Sequence, residues 1–134
     1  MNELSVSAII PTYNRAHLVG RAIKSVLASI RDGDEVIVVD DGSTDDTEPV
    51  VRAFGERITY VRSSNGGAGR ARNIGVSIAK HPLLAFLDSD DEWIPGELEW
   101  KRRILEARGD VLFCFSDFLM RDEYEVDHPH HLIA

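Results

Sequence analysis

The sequence predicts an α/β fold with a mostly parallel sheet, because strand-like and helix-like patterns alternate and the strand-like ones are apolar almost without interruption. Five short runs recur: VSAII (residues 6–10), EVIVV (35–39), ITYV (58–61), LLAFL (83–87) and VLFCF (111–115). Strands covered on both faces read as continuous apolar runs, whereas strands with one wet face alternate. Between the runs lie patterns of helical period, and strand–helix alternation is the mark of βαβ units.

Each connection has its own pattern. After the first run, Leu18, Ala22 and Val26 recur at four-residue spacing, and Ile23, Leu27 and Ile30 widen the stripe. Asn14 is the expected N-cap of that helix. After the second, Val50, Val51 and Phe54 mark a second helix, with Pro49 acceptable in its first turn. Ala71, Ile74 and Ile78 mark a third, in which Gly75 permits close packing on the sheet. Residues 95–107 are expected to form a fourth, with Trp100 and Ile104 on one face and Trp93 and Trp100 packing around it. The tail, residues 121–134, is polar and without pattern. The expected organisation is one domain over residues 1–120 followed by that tail.

Composition narrows the function. The chain has 134 residues, 43% apolar and 28% charged, which suits one globular domain with a real core. A net charge of −8 argues against non-specific nucleic-acid binding, which needs a basic face, and against docking on anionic lipid. No apolar run approaches the roughly 20 residues of a membrane span. The start, MNELSVSAII, has no basic lead and no signal-peptide pattern. The single cysteine, Cys114, has no internal partner and is expected to be a buried small hydrophobe. A reducing cytoplasm fits these features.

The chemistry gathers at the strand ends. The runs are followed by Pro11-Thr12-Tyr13-Asn14-Arg15, by Asp40-Asp41-Gly42-Ser43-Thr44-Asp45, by Ser63-Ser64-Asn65-Gly66-Gly67 and by Asp88-Ser89-Asp90-Asp91-Glu92. In open α/β sheets ligands bind outside the carboxyl ends of the strands, so these four segments are expected to share one site. Asp88 and Asp90 are two apart and face one way in extended backbone. Paired carboxylates repel unless a cation lies between them, and Mg²⁺ and Mn²⁺ commonly bind through one or two carboxylates plus substrate phosphates. A solvated acidic turn is the plain alternative. A carboxylate only accepts hydrogen bonds, so Asp40 or Asp41 suits the N3–H of uracil; helix capping by Asp41, Ser43 and Asp45 is the competing role. Tyr13, just past the first strand, is a candidate to lie against a base, with simple half-burial the plain alternative. The glycine-rich NGGAGRARN opens a helix, where phosphate is favoured, and Arg70 and Arg72 add forked donors. It is neither a Walker A loop nor a dinucleotide fingerprint. His128, His130 and His131 match no closed zinc site.

Four stretches, SAIIPTYNR, VIVVDDGSTDDT, NGGAGRARNIG and LAFLDSDDEW, resemble in order those of a family 2 glycosyltransferase of GT-A fold, and they cover about residues 5–95. VLFCFSDF resembles the strand that follows. The resemblance implies a Rossmann-like, three-layer GT-A sandwich, here truncated after the fifth strand. It implies inverting, hexosyltransferase-type transfer from a nucleotide-diphosphate sugar, most often UDP-linked, to a hydroxyl of a saccharide or lipid-linked acceptor. It places Pro11, Tyr13, Asp41, Asn65 and Arg72 on the donor and Asp88 and Asp90 in a DXD element. Asp88 would serve ribose and metal, Asp90 would contact Mn²⁺ or Mg²⁺ directly, and Asp91 is a further ligand candidate.

In that family the general base and the acceptor-binding half lie beyond the DXD element. The expectation is therefore a donor-binding portion that binds nucleotide with metal and transfers sugar poorly on its own. Asp117 and Asp122 are the nearby downstream carboxylates, and neither sits in the expected context. Self-association through a surface that the missing half would cover is expected too, as is a cytoplasmic or membrane-peripheral location. Two rivals from other classes stand beside this reading. One is a non-catalytic interaction module. The other is a receiver-like signalling domain, whose acidic pair should follow the first strand rather than the second and whose late-strand lysine is here Ser116 or Asp117.

Overall fold

The run VSAIIPT forms β1 (Val6–Thr12), and all seven of its residues are buried. The computed structural model of the chain describes residues 4–116, 118–121 and 127–130. β1 is central because both its faces and both its edges are covered. It pairs in parallel with β2 (Glu35–Asp40) on one side and with β4 (Leu83–Phe86) on the other; β3 (Thr59–Arg62) adds in parallel outside β2. The order is therefore β3-β2-β1-β4. The chain first winds outward through β2 and β3, then returns across β1 to make β4, so the strand order reverses between β1 and β4.

Side-chain alternation divides the core in two. Ala8, Ile10, Val36 and Val38 face α1 (Val19–Leu27) and α2 (Thr47–Arg52), meeting Val19, Ala22, Ile23, Val26 and Val51, with Trp93 packed alongside. Ile9, Ile37 and Val39 face the other way, against Ala71 and Ile74 of α3 (Ala68–Ile78). Helices on both faces explain why the strands read as continuous apolar runs. Gly75 lets α3 sit close: a Cβ there would lie 2.5 Å from Ile9 Cγ2.

α4 (Glu97–Ala107) is tied down by a buried charge pair rather than by an apolar stripe alone. Arg102 is 1% exposed. It donates to both Asp34 oxygens, at 2.7 and 3.2 Å, and to the Leu4 carbonyl at 2.5 Å. Asp34 also accepts the amides of Val6 (2.8 Å) and Arg31 (3.0 Å). Burial pushes the Asp34 carboxyl up, but the Arg102 bond and these amides outweigh it and hold it below its ordinary value.

Four local expectations are corrected. Residues 111–115 are not a strand: no sheet edge pairs with them, and Leu112, Phe113 and Phe115 are 92%, 75% and 70% exposed. An apolar run without a ladder partner leaves its backbone groups unpaired, so it does not hold as a strand. An antiparallel ribbon of β5 (Phe118–Arg121) and β6 (Asp127–His130) follows instead, and Cys114 is half-buried with a free thiol. Asn14 does not cap α1, which starts at Val19; it adopts φ 50°, and its side-chain oxygen accepts the amides of Thr44 and Asp45. Asparagine tolerates this left-handed backbone, and joining two loops uses its carbonyl better than a helix four residues away. Trp100 is 56% exposed, because Leu98 and Arg102 form the buried side of α4. Asp117, Asp122 and His131, and the side chains of His128 and His130, lie outside the described residues.

Candidate functional site

The four strand-end segments meet at the carboxyl edge of the sheet, and hydrogen bonds between loops hold them there. At the end of β2, Asp40 is fully buried. Its oxygens accept the Ser43 amide (2.8 Å) and the Tyr60 hydroxyl (2.6 Å). Arg62 lies 3.5 Å from the same carboxylate and donates to the Ser43 carbonyl at 2.8 Å. Burial, reinforced by the bond to Asp40, pushes the Tyr60 phenol up to about 12. Asp40 is thus a structural anion that fixes the turn carrying Asp41. Ser43 Oγ then accepts the Asn14 amide at 2.9 Å and docks the loop after β1. Asp45 completes the seam by accepting the amides of Ala16 and Thr47.

Asp41 does not cap a helix. Its carboxylate, on a residue only 3% exposed, accepts the amides of Gly66 (2.9 Å) and Gly67 (2.8 Å) and so binds the glycine-rich loop to the end of β2. Gly42, at φ +84°, permits this approach, since a Cβ there would lie 3.0 Å from the Asn65 nitrogen. Beyond the loop, α3 begins at Ala68, and its first-turn amides have no partner within the helix. The two arginines diverge. Arg70 folds back to donate to the Ser64 carbonyl at 2.7 Å, whereas Arg72 crosses to Asp88, at 2.6 Å.

After β4, the Asp91 amide donates to the Asp88 carbonyl and closes a turn. This gathers Asp88, Asp90 and Asp91, each offering a carboxylate oxygen within 4.8 Å of the others. Burial and then the charges of Asp90 and Asp88 push the Asp91 carboxyl up. Burial is the larger cause, and the neighbouring carboxylates add to it. Glu92 turns away and pairs with Arg21 of α1 at 2.8 Å.

These parts enclose a cleft of about 450 Å³, lined by Pro11, Thr12, Tyr13, Arg15, Asp41, Asn65, Gly67, Ala68, Ala71, Arg72, Asp88, Ser89 and Asp90. It opens beside the point between β1 and β4 where strand order reverses, the usual ligand position in such sheets. Of the residues singled out in the sequence, Pro11, Tyr13, Asp41, Asn65, Arg72, Asp88 and Asp90 line it, Asp91 stands beside the lining as part of the acidic cluster, and Asp40 and Arg70 do not line it. Arg15 and Thr12 were not singled out. Arg15 had a signal, a guanidinium in the polar run after a strand; Thr12 had none. Its hydroxyl is buried and without a partner among the described residues.

The family model for glycosyl transferase family 2 matches residues 7–129. The chain belongs to this family. It is 41% identical over 112 residues to a glycosyltransferase of Rickettsia prowazekii (strain Madrid E), covering 81% of this chain and 35% of that protein. Among solved structures, this family 2 glycosyltransferase chain is similar to the mannosyltransferase PcManGT of Pyrobaculum calidifontis in complex with GDP-Man and Mn²⁺. The TM-score is 0.72 at 29% identity, over 78% of this chain and 33% of that one. It is also similar to residues 1–349 of S. aureus TarS in complex with UDP-GlcNAc, with TM-score 0.69 and 29% identity, over 78% and 32%. The fold is that of GT-A glycosyltransferases. The chain spans about a third or less of the length of the first curated relatives it matches. The receiver-like alternative is set aside by the family match.

Proposed function

We propose that this chain is the donor-binding portion of an inverting glycosyltransferase, which takes a nucleoside-diphosphate sugar, UDP-linked by preference, together with a divalent cation. The observation that carries the reading is the convergence of four strand-end segments on one cleft, with an anion-attracting helix start on one wall and an acidic cluster on the other. PcManGT with GDP-Man and Mn²⁺ and TarS with UDP-GlcNAc support the ligand class.

Each residue has a task in this reading. Pro11 and Tyr13, which is 44% exposed, form an apolar wall for the base. Asp41 keeps acceptor capacity beyond its two amide bonds, because a carboxylate offers about four lone-pair sites, and the N3–H of uracil needs one of them. Thr12 offers, in the same wall, a hydroxyl without a partner among the described residues. Asn65, Arg72 and the first turn of α3 face the diphosphate, and Asp88 the ribose. The residues fit a metal: three oxygen donors lie within 4.8 Å of one another and repel in its absence. Asp90 and Asp91, with Asp88, would hold Mn²⁺ or Mg²⁺, and the cation would neutralise charge on the departing diphosphate.

The acceptor hydroxyl needs a general base within hydrogen-bond reach. That base and the acceptor site are assigned to the portion of the curated relatives that this chain does not span. Residues 1–120 are then the donor-binding domain. A cytoplasmic setting accords with this reading. No described helix is long and apolar enough to cross a membrane.

Calorimetric titration of UDP and of GDP into the chain, with and without Mn²⁺, tests the proposal, with Asp90→Ala as the control. UDP is expected to bind in a Mn²⁺-dependent manner that Asp90→Ala abolishes. A folded chain that binds neither nucleotide in the presence of Mn²⁺ refutes the donor-site reading, and preference for GDP corrects the base.

A further inference from the structure

We infer that Arg72 is an internal counter-cation of the acidic cluster, competing with the metal for Asp88 and passing to the diphosphate when nucleotide binds. This rests on the reading of the cleft as a nucleotide and metal site. Three observations carry it. Arg72 Nη2 lies 2.6 Å from Asp88 Oδ1, the one ion pair that joins a described cation to the three clustered carboxylates. The two side chains are 36% and 51% exposed, so water can replace either partner and the pair is free to separate. Arg70, the neighbouring guanidinium, is committed to the Ser64 carbonyl and does not substitute for it.

The electrostatics set the direction of each effect. Three carboxylates crowded within 4.8 Å carry more negative charge than one guanidinium cancels. A metal arriving alone must draw Asp88 away from Arg72 and share the cluster with that positive charge, so Arg72 weakens metal binding. A diphosphate offers the guanidinium a forked, doubly charged acceptor, stronger than a solvated carboxylate. Nucleotide therefore removes Arg72 from Asp88 and leaves the cluster more anionic, and metal at the cluster releases Arg72 toward the nucleotide. Each ligand assists the other by the same factor, as linkage requires. Arg72 thus couples the two sites in addition to contacting a ligand.

The test measures Mn²⁺ binding by electron paramagnetic resonance of the free ion, alone and with saturating UDP, and UDP binding by calorimetry. The proteins are the wild-type chain, Arg72→Gln and Arg72→Lys. Arg72→Gln is expected to bind Mn²⁺ alone roughly two- to fivefold more tightly, the range of an exposed ion pair. It should bind UDP about tenfold more weakly, as for a lost charge-assisted bond, and UDP should tighten its Mn²⁺ binding less than in wild type. Arg72→Lys keeps the charge and should stay near wild type for Mn²⁺ alone. If Arg72→Gln binds Mn²⁺ alone no more tightly than wild type, or if Arg72→Lys matches Arg72→Gln, the counter-cation role is wrong while the donor site stands. If the folded wild type binds neither UDP nor Mn²⁺, the cleft reading falls and this inference falls with it.

Discussion

Replacing Arg102 by methionine isolates the buried charge pair that fastens α4 to the sheet. Methionine fills much of the same volume but removes both guanidinium bonds to Asp34 and the donor to Leu4. The Asp34 side chain, which has no exposed surface, keeps two amide donors, from Val6 and Arg31. Removing one partner of a buried pair costs about 3–5 kcal/mol. The surviving amides place this case near the lower end, about 3 kcal/mol, a large share of the 5–15 kcal/mol typical of a domain. Urea unfolding followed by tryptophan fluorescence, with Trp93 as the packed reporter, should show a midpoint lower by roughly 1–2 M. Acidification should act differently on the two proteins. In wild type the depressed Asp34 carboxyl contributes stability above its ordinary value of 3.8 and loses it as pH falls through the lower folded value. Without Arg102, burial dominates and raises that carboxyl, so its neutral form suits the fold better. The gap between variant and wild type should therefore narrow below about pH 4. Adding Asp34→Asn should restore part of the lost stability at neutral pH. A single variant within about 1 kcal/mol of wild type, or a gap independent of pH, would falsify the account.

Gly75→Ala should destabilise the chain by up to about 2 kcal/mol in thermal melting. The helix gains about 1 kcal/mol of propensity, but the new methyl meets the stiff, fully buried Ile9 at 2.5 Å, and overpacking costs about 1–3 kcal/mol. Because α3 carries Arg72, UDP affinity should fall with it; a variant more stable than wild type contradicts the close-packing argument. Tyr60→Phe should cost about 1–2 kcal/mol by taking the 2.6 Å donor from buried Asp40. Wild type should also lose stability as pH rises from the phenol's ordinary value of 10.0 through about 12, because the folded phenol resists ionisation, and the Tyr60→Phe variant should lack that alkaline decline in urea titrations. Equal alkaline slopes in the two proteins count against the Tyr60–Asp40 bond.

What the sequence made legible was periodic or local. The four parallel strands follow from continuous apolar runs, and their polar ends meet because parallel strands present the same end to one edge. Gly75 was legible because a glycine inside a helical stripe needs a packing reason. What stayed hidden depends on partners far along the chain. Asp41 meets amides 25 and 26 residues away, so its tether to the glycine loop has no local signal. Arg102 meets Asp34 across 68 residues, and a charged residue on a helix reads as solvated until that carboxylate is found beneath it. Residues 111–115 misled for the converse reason: β-forming composition describes what a side chain suits, while a strand also requires an edge to bond to.

That edge has a consequence of its own. Within the described sheet β4 ends the order, so the outer amides and carbonyls of Leu83–Phe86 have no ladder partner. Beside them runs an apolar groove of about 510 Å³, bounded by Trp93, Leu98, Leu105 and residues 112–115. The strand offers no proline, lysine or bulge, the usual guards against adventitious pairing. Left bare, LLAF is a place for strand addition, limited by its four residues, and the chain's −8 net charge opposes the approach of a second copy. Salt screens that repulsion and leaves the edge untouched, so association of copies through β4 should rise with ionic strength.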